Sequence, residues 1–167
     1  TVNKKTLEER EHGKWKCPEW YAYSRNQNLA QCGEKKVLTP SIAKKASFVY
    51  DDVGDYYFVG SGGGGGGGYG LNIKTDVKIN PQYLVGLLNS KLLDFMVQKI
   101  STRFSGGFFA YNKQYIQSLP VILPSEKHKE AIANEIIAMV EKISAIYKKI
   151  ELHDSSKKEL LDREAKV

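Results

Sequence analysis

The chain has few of the residues from which metal sites and disulfide frameworks are built. Its 167 residues include two cysteines and three histidines. Cys17 and Cys32 stand apart and no Cys-x-x-Cys pair occurs, so that even with His12 counted a zinc site would lack its fourth ligand. We therefore expect no metal and no cofactor in this chain, and we expect two free thiols of a cytoplasmic protein.

Long apolar runs are also missing. No stretch approaches the roughly 20 apolar residues of a membrane span and no signal peptide opens the chain, so we expect no membrane contact. The chain begins at Thr1 rather than Met, and we expect a fragment cut from a longer protein. With 41% hydrophobic and 26% charged residues, the composition is that of a globular protein, and the length suits one domain plus an appendage.

The sequence contains no recognisable catalytic constellation. The histidines are scattered, and neither clustered carboxylates nor a nucleophile–base pair occurs, which makes a stand-alone enzyme the least favoured function. The glycine run at 62–68 lacks the Gly-Lys-Ser/Thr of a phosphate-binding loop. It is either a flexible loop between two strands or a mobile loop whose backbone contacts DNA, and Tyr69, which follows it, is a candidate contact.

Positive charge is concentrated in the first three quarters of the chain. Residues 1–124 carry 16 Lys and Arg against 10 Asp and Glu, which accounts for the whole net charge of +6. Residues 125–167 carry nine of each sign. A basic body suggests a polyanionic partner, and the balanced tail is typical of an exposed or partnered helix. We predict a recognition domain over residues 1–124 and a long helical spacer, dimerisation or docking segment over 125–167.

The segment RFSGGFFAYNKQYIQSLPVILP, at 103–124, combines cations, a Gly-Gly pair and aromatic rings. Arg103 and Lys113 are candidates for phosphate contact, and Ser105, Gly106 and Gly107 would allow a close backbone approach because glycine has no Cβ. The rings of Phe108, Phe109 and Tyr111 either stack on a nucleic acid or fill the core. We favour the core, because duplex DNA keeps its bases stacked on one another.

Two other polar segments are candidates for contact with a nucleic acid. Arg25, Asn26 and Gln27 carry side chains that can bond base edges or phosphates, although a solvated turn explains them equally well. The pairs at 35–36 and 44–45 are all lysine. They would line a phosphate-facing edge, with Lys44 and Lys45 as clamps, or would guard an exposed strand against aggregation.

The periodicity predicts an α+β fold: a small, twisted, mostly antiparallel sheet with packed helices, followed by a long C-terminal amphipathic helix. Pro40 argues for an edge position or a bulge in the first strand. Asn80 predicts an N-cap for a helix over 81–99. We assign its apolar stripe to the core, and the members of the stripe are Leu84, Leu87, Leu88, Leu92, Phe95 and Met96. Further strands are predicted at 47–51, 55–60, after the glycine run and near 107–111, and a short helix is predicted after Asn112.

The terminal helix, capped by Ser125 in this prediction, carries a heptad seam of nearly three repeats. Its members alternate spacings of four and three: Ile132, Ile136, Met139, Ile143, Ile146 and Ile150. Three arrangements remain open. The helix lies on the body, folds back as an antiparallel hairpin broken at 153–158, or pairs with another chain.

Five segments together resemble the TaqI-like specificity domain, the target recognition domain of adenine-N6 DNA methyltransferases and of fused type IIG restriction–modification enzymes. In order, they are WYAYSRNQNL, KVLTPSIAKKASFVYDDVGDYYF, the glycine-rich stretch ending YGL, YLVGLLNSKLLDFM and GGFFAYNKQYIQSLPV. The resemblance covers about residues 15–124. The Leu-Pro segment with the helix after it is also similar to the spacer helices of type I restriction specificity subunits.

The resemblance implies a domain that reads a short site in double-stranded DNA, mainly in the major groove. A catalytic domain elsewhere in the parent chain would methylate a flipped adenine from S-adenosylmethionine. The sequence has no Asn-Pro-Pro-Tyr methyltransferase motif and no convincing nuclease signature, so this chain should be catalytically silent. The main alternative is a protein-interaction module acting through the terminal helix.

Overall fold

The protein, seen here in a computed structural model, is described at residues 2–21, 29–57, 67–124 and 127–164. It forms two compact units, Thr1–Gly33 and Glu34–Val167. Several predictions fall outside the described residues: Arg25, Asn26 and Gln27, strand residues 58–60, most of the glycine run and the Ser125 cap. The predicted domain boundary after residue 124 stays a prediction.

The first unit is built from short helices: α1 (Val2–Glu8), α2 (Arg10–Gly13) and α3 (Leu29–Cys32). Arg10 ties this unit together. Its guanidinium donates to the carbonyls of Leu7 (2.8 Å) and Trp20 (2.9 Å) and lies 5.2 Å from the ring centre of Trp15. The cationic group therefore packs on an aromatic face while satisfying two carbonyl oxygens.

The second unit holds two antiparallel three-stranded sheets, which confirms the predicted α+β class. Its strands are β1 (Lys36–Pro40), β2 (Ile42–Ala43), β3 (Val49–Asp51), β4 (Gly68–Leu71), β5 (Arg103–Phe104) and β6 (Phe108–Ala110). They pair in the orders β3-β1-β4 and β2-β6-β5. The predicted strand at 55–60 is not formed over its described residues 55–57.

Pro40 does not mark an edge strand, because β1 is central in its sheet. The partner strand β3 begins at Val49, opposite Leu38, so its pairing with β1 stops two residues before the proline. Pro40 pairs only with Gly68 of β4. Because no β3 residue lies opposite it, the end of this central strand tolerates a proline, which has no backbone N–H.

Ser41 joins the two sheets. Its N–H donates to the carbonyl of Gly67 (2.8 Å), and its own carbonyl accepts from the N–H of Tyr111 (2.9 Å). Residues that precede β4 and follow β6 are thereby held on the two sides of one short turn. This link matters for the candidate site, because it brings together segments more than forty positions apart in the sequence.

The helices of the second unit are α4 (Pro81–Leu88), α5 (Lys91–Ile100), α6 (Lys113–Ile116) and α7 (Lys127–Glu164). The Asn80 cap is confirmed: its side-chain oxygen accepts from the N–H groups of Gln82 (2.8 Å) and Tyr83 (3.4 Å). The short helix after Asn112 is also confirmed as α6.

The single helix predicted over 81–99 is instead divided in two at Asn89 and Ser90. The side-chain amide of Asn89, at the end of α4, bonds the N–H (2.9 Å) and the carbonyl (2.7 Å) of Phe48. Ser90 then caps α5 by accepting from the N–H of Leu93 (3.3 Å). The break changes the phase of the apolar stripe. Leu92 and Phe95, which we predicted in the core, are 69% and 57% exposed, whereas Leu93 and Val97 are buried.

The terminal helix α7 packs against α4 and then continues without interruption to Glu164. The antiparallel hairpin with a break at 153–158, one of the three arrangements left open, is therefore wrong. Ala133 is buried, and the side chains of Ile136 and Val140 lie against Gly86 of α4, where a Cβ would be in close contact with both. Among the described residues, no helix is long and apolar enough to cross a membrane.

Candidate nucleic-acid interface

The turn between β5 and β6 is formed by Ser105–Gly107, one short 3-10 turn with all three residues exposed. Gly106 and Gly107 have φ angles of +74° and +79°, in the left-handed region that side chains with a Cβ rarely adopt. The two glycines are thus required by the hairpin itself. Their exposure also leaves the backbone accessible, and the close approach of a partner there stays a prediction.

Lys44 lies against the aromatic face of this hairpin. Ala43 pairs with Phe109 across β2 and β6, which places the next residue, Lys44, beside Phe108, and its ammonium nitrogen is 5.2 Å from that ring centre. Phe108 is 37% exposed and pairs with the exposed Phe104 on β5. Lys44 and Lys45 are both exposed. The result is a cation on an apolar, solvent-facing ring surface.

Arg103 lies on the adjoining part of the same sheet. It pairs with Phe109 in the ladder of β5 and β6, and its guanidinium carbon is 5.9 Å from the Phe109 ring centre. The stacking fixes the plane of the guanidinium while the side chain remains exposed. We call Lys44, Lys45, Arg103 and the turn Ser105–Gly107 the hairpin cluster.

The other two predicted contacts within the described residues, Tyr69 and Lys113, line a separate surface cleft. Its volume is about 420 Å³, and its lining residues are Tyr69, Asn112, Lys113, Gln114 and Gln117. We call this set the amide cleft. Its three amides were not among the residues predicted from the sequence. The same residue types singled out Asn26 and Gln27, and here they occur close to Lys113 in NKQYIQ.

The cleft side chains are held by buried anchors on both sides of α6. Tyr111, Ile116 and Leu119 are buried in the core, whereas Lys113, Gln114 and Gln117 are exposed. On the other wall, Tyr69 of β4 pairs with Thr39 of β1. The two backbone hydrogen bonds of Ser41, to Gly67 and to Tyr111, hold the two walls together. The arrangement presents five hydrogen-bonding side chains from rigid elements, and the described lining contains no carboxylate.

Asp94 on α5 connects the amide cleft to the hairpin cluster. Its carboxylate accepts from Tyr111 Oη, from the N–H of Ala46 (2.8 Å) and from Gln98 Nε2 (3.0 Å). Ala46 follows Lys45, and Tyr111 precedes Asn112. Burial of the phenol and its bond to this carboxylate raise the pKa of Tyr111 well above its ordinary value. One acidic side chain therefore positions both groups.

Lys36 does not contribute to a phosphate-facing edge. Its ammonium is buried and bonds Asp51 Oδ2 at 2.7 Å. Asp51 also accepts from the N–H groups of Gly54 (2.8 Å) and Tyr56 (3.1 Å). Burial by itself would raise the pKa of Asp51, but the bond to Lys36 and the two backbone donors outweigh it and lower the pKa to about 2.

The predicted core role of the three aromatics in the 103–124 segment is only partly correct. Tyr111 is fully buried, and its ring meets Phe48 edge to face at a centroid distance of 6.3 Å. Phe109 is half-buried and packs on the core. Phe108 faces solvent beside Lys44, because successive residues of a strand point to opposite faces.

The seam of α7 is mostly uncovered in this chain. Five of its six members are 46–57% exposed: Ile132, Met139, Ile143, Ile146 and Ile150. Ile136, the sixth, packs toward α4. The contact with the body uses a neighbouring stripe through Ala133 and Val140, so the seam is left as an apolar face.

In the part of the chain that the structure describes, no group of three His, Cys, Asp or Glu side chains could hold a metal ion. The model of one protein family, described as the TaqI-like C-terminal specificity domain, matches residues 2–121. The match extends through both candidate surfaces and ends before α7. No curated protein gives a significant match.

Proposed function

The chain belongs to the TaqI-like C-terminal specificity domain family, and we propose that it recognises a short sequence in double-stranded DNA for a methyltransferase domain of the same parent protein. The finer assignment is a restriction–modification enzyme that methylates adenine at N6, alone or fused to an endonuclease. S-adenosylmethionine would be bound by the catalytic domain. This chain would supply the site selection and no catalysis.

The observation that carries the proposal is the joint positioning of two unlike surfaces by one core. The hairpin cluster offers exposed cations beside a backbone turn, which suits phosphate groups. The amide cleft offers hydrogen-bond donors and acceptors on elements that are anchored in the core, which suits base edges. A sequence reader needs both, since phosphate contacts set its register and base contacts set its specificity.

Three cations are proposed as phosphate contacts: Lys44, Lys45 and Arg103. Each neutralised phosphate releases condensed counterions, so each contact makes the negative slope of log affinity against log salt concentration steeper by about 0.9. Lys113 is proposed as a contact from the cleft. Arg25, Asn26 and Gln27 stay predicted base or phosphate contacts.

The test is selection of sequences from a randomised duplex pool by the 167-residue chain at low salt, followed by a salt titration. The variant Lys44→Ala/Lys45→Ala/Arg103→Ala should lose affinity for all sequences and lower the salt slope by about 2 to 3. The matched control is Lys142→Ala/Lys148→Ala/Lys149→Ala, which removes the same charge from exposed positions of α7.

The control separates a local contact from the effect of net charge. If both triple variants weaken binding equally, the hairpin cluster has no special role. If the unchanged chain enriches no motif from the pool, the proposed sequence recognition is wrong for this chain. Enrichment of a motif with selective loss in the first variant supports the proposal.

The exposed seam of α7 favours a second function, assembly with another protein chain. A face of isoleucine and methionine side chains at about half exposure over 20 residues is larger than scattered surface apolar residues account for. We propose that α7 mediates a subunit contact, as an assembly module or as half of a type I restriction specificity subunit. DNA recognition and helix-mediated assembly are compatible, since they use different surfaces.

A further inference from the structure

We propose that the amide cleft reads adenine, with Asn112, Gln114 and Gln117 as the specificity-determining side chains. The inference rests on the proposed function and deepens it. It assigns base readout to three residues and names the base that their chemistry selects.

The geometry of the cleft favours base contact over phosphate contact. The three amides lie on α6 and the residues that flank it, on the same cleft as Tyr69 from β4. A phosphate is bound by any nearby cation, but a base edge requires donors and acceptors at fixed relative positions. The buried Tyr111, Ile116 and Leu119 hold α6 on the core, which fixes the backbone from which the amide side chains extend.

The amide oxygen of Asn112 has no hydrogen bond within the described part of the fold. Asn112 occupies the N-cap position of α6 with extended backbone angles (φ −96°, ψ 168°), yet its side chain makes no capping bond. Its backbone carbonyl accepts from both Tyr115 and Ile116 N–H (3.1 Å each). The shielded Oδ1 has no hydrogen-bond partner among the described residues. Because Asn112 lines the cleft, a rotation of its side chain would offer this unpaired acceptor to a ligand donor.

The residue types in the cleft select adenine. In the major groove adenine presents an N7 acceptor beside an N6 donor, and a carboxamide, which carries both a donor and an acceptor, pairs with that edge through two bonds. Guanine presents two acceptors and suits arginine or lysine, whereas cytosine presents a donor and suits a carboxylate. Three amides with one lysine and no carboxylate in the described lining therefore match an A·T pair, with Lys113 left for a phosphate or a guanine.

The experiment compares the unchanged chain with Gln114→Ala/Gln117→Ala and with Asn112→Ala. Each is run through selection from a randomised duplex pool, and then titrated against the selected site and its single-base variants at several salt concentrations. We expect the unchanged chain to discriminate against replacement of A·T at one or two positions by roughly tenfold or more. The variants should lose most of that discrimination while keeping the salt slope and the affinity for unrelated duplexes.

A second variant tests the chemistry without removing the side chain. Gln117→Glu keeps the shape and replaces the amide donor with an acceptor, so we expect the preferred base at the affected position to change from adenine to cytosine. Asn134→Ala is the matched control, because it removes an exposed amide from α7. Its selected motif should equal that of the unchanged chain.

The outcomes distinguish this inference from the proposed function. If the chain selects a motif and the cleft variants select the same motif with the same discrimination, base readout by the cleft is overturned and DNA recognition stands. If the cleft variants lose affinity equally for all duplexes and show a smaller salt slope, the cleft contacts phosphates instead. A chain that selects no motif defeats both proposals. If the cleft variants lose discrimination only at positions that are not A·T pairs, the choice of adenine is overturned.

Discussion

Two carboxylates organise the loops of the second unit, and each does so by collecting several donors. Asp51 accepts from the Lys36 ammonium and from two backbone N–H groups of the loop that follows β3. Asp94 accepts from a phenol, a backbone N–H and an amide. Each carboxylate thereby fixes the positions of the groups that donate to it.

Replacing Asp51 with Asn is expected to lower the free energy of unfolding by about 3–5 kcal/mol, because it leaves the buried Lys36 ammonium without its counter-charge. The measurement is chemical unfolding at pH 7. Asp52→Asn, one position along and exposed, is the matched control and should change the stability by less than about 0.5 kcal/mol. Equal effects of the two changes would refute the role given to the ion pair.

The same carboxyl predicts a pH dependence. Its pKa is about 2 in the folded chain against 3.8 as the ordinary value. A lowered folded pKa means that the stabilisation is fully present above pH 4 and is lost as the pH falls from about 4 to about 2. Unfolding midpoints measured across this range should fall less steeply for Asp51→Asn than for the unchanged chain. Parallel profiles would contradict the assignment.

Tyr111→Phe is expected to destabilise the chain by about 1–3 kcal/mol, since the half-buried Asp94 carboxylate loses the donor that the buried Tyr111 supplies. Tyr147→Phe, on the exposed surface of α7, supplies the control and should have no measurable effect. Thermal unfolding of the two variants side by side is sufficient. A stability of Tyr111→Phe within error of the unchanged chain would mean that the hydroxyl bond contributes nothing net.

At the scale of elements, the packing of α7 on α4 depends on one small residue. Gly86 lies where a Cβ would meet Ile136 Cγ2 well inside van der Waals contact and Val140 Cγ2 at 3.1 Å. Glycine in a helix interior costs about 1 kcal/mol relative to alanine, so its presence here lowers the intrinsic stability of α4. The close approach of α7 offsets that cost.

Gly86→Ala should therefore destabilise the chain by about 1 kcal/mol net, because an overpacking cost of about 1–3 kcal/mol exceeds the gain in helix propensity of about 1 kcal/mol. The change combined with Ile136→Ala removes the obstructing methyl group. In a double-mutant cycle, the loss in the free energy of unfolding of the double variant should be smaller than the sum of the two single losses by about 0.5 kcal/mol or more. Additive effects would show that α7 does not press on Gly86.

At the scale of the whole molecule, the chain combines a basic body with a long helix whose apolar seam is open. Burial of such a seam against a partner helix stabilises association by about 25 cal/mol per Å² of apolar surface, opposed by the entropy of association. The proposed subunit contact therefore predicts a measurable oligomer that depends on the seam and not on the body.

Sedimentation should show self-association of the unchanged chain and a monomer for Ile143→Glu/Ile146→Glu. The variant monomer should remain folded, since both side chains are more than half exposed. Ala138→Glu/Ala145→Glu adds the same charge at exposed positions outside the seam and should leave the oligomer intact. If the unchanged chain is monomeric at high concentration, pairing between two copies is wrong.

The α+β class, the Asn80 cap and the existence of a long terminal helix followed from the sequence, because periodicity and capping are local properties of neighbouring residues. The residues of the hairpin cluster could also be selected from their types. Tertiary structure alone decided that Lys36 is buried against Asp51, that Phe108 faces solvent, and that Asn89 leaves its helix to bond Phe48. It alone placed Tyr69 and Lys113 on one cleft with three amides. These outcomes depend on contacts between residues distant in the chain, which no local pattern encodes.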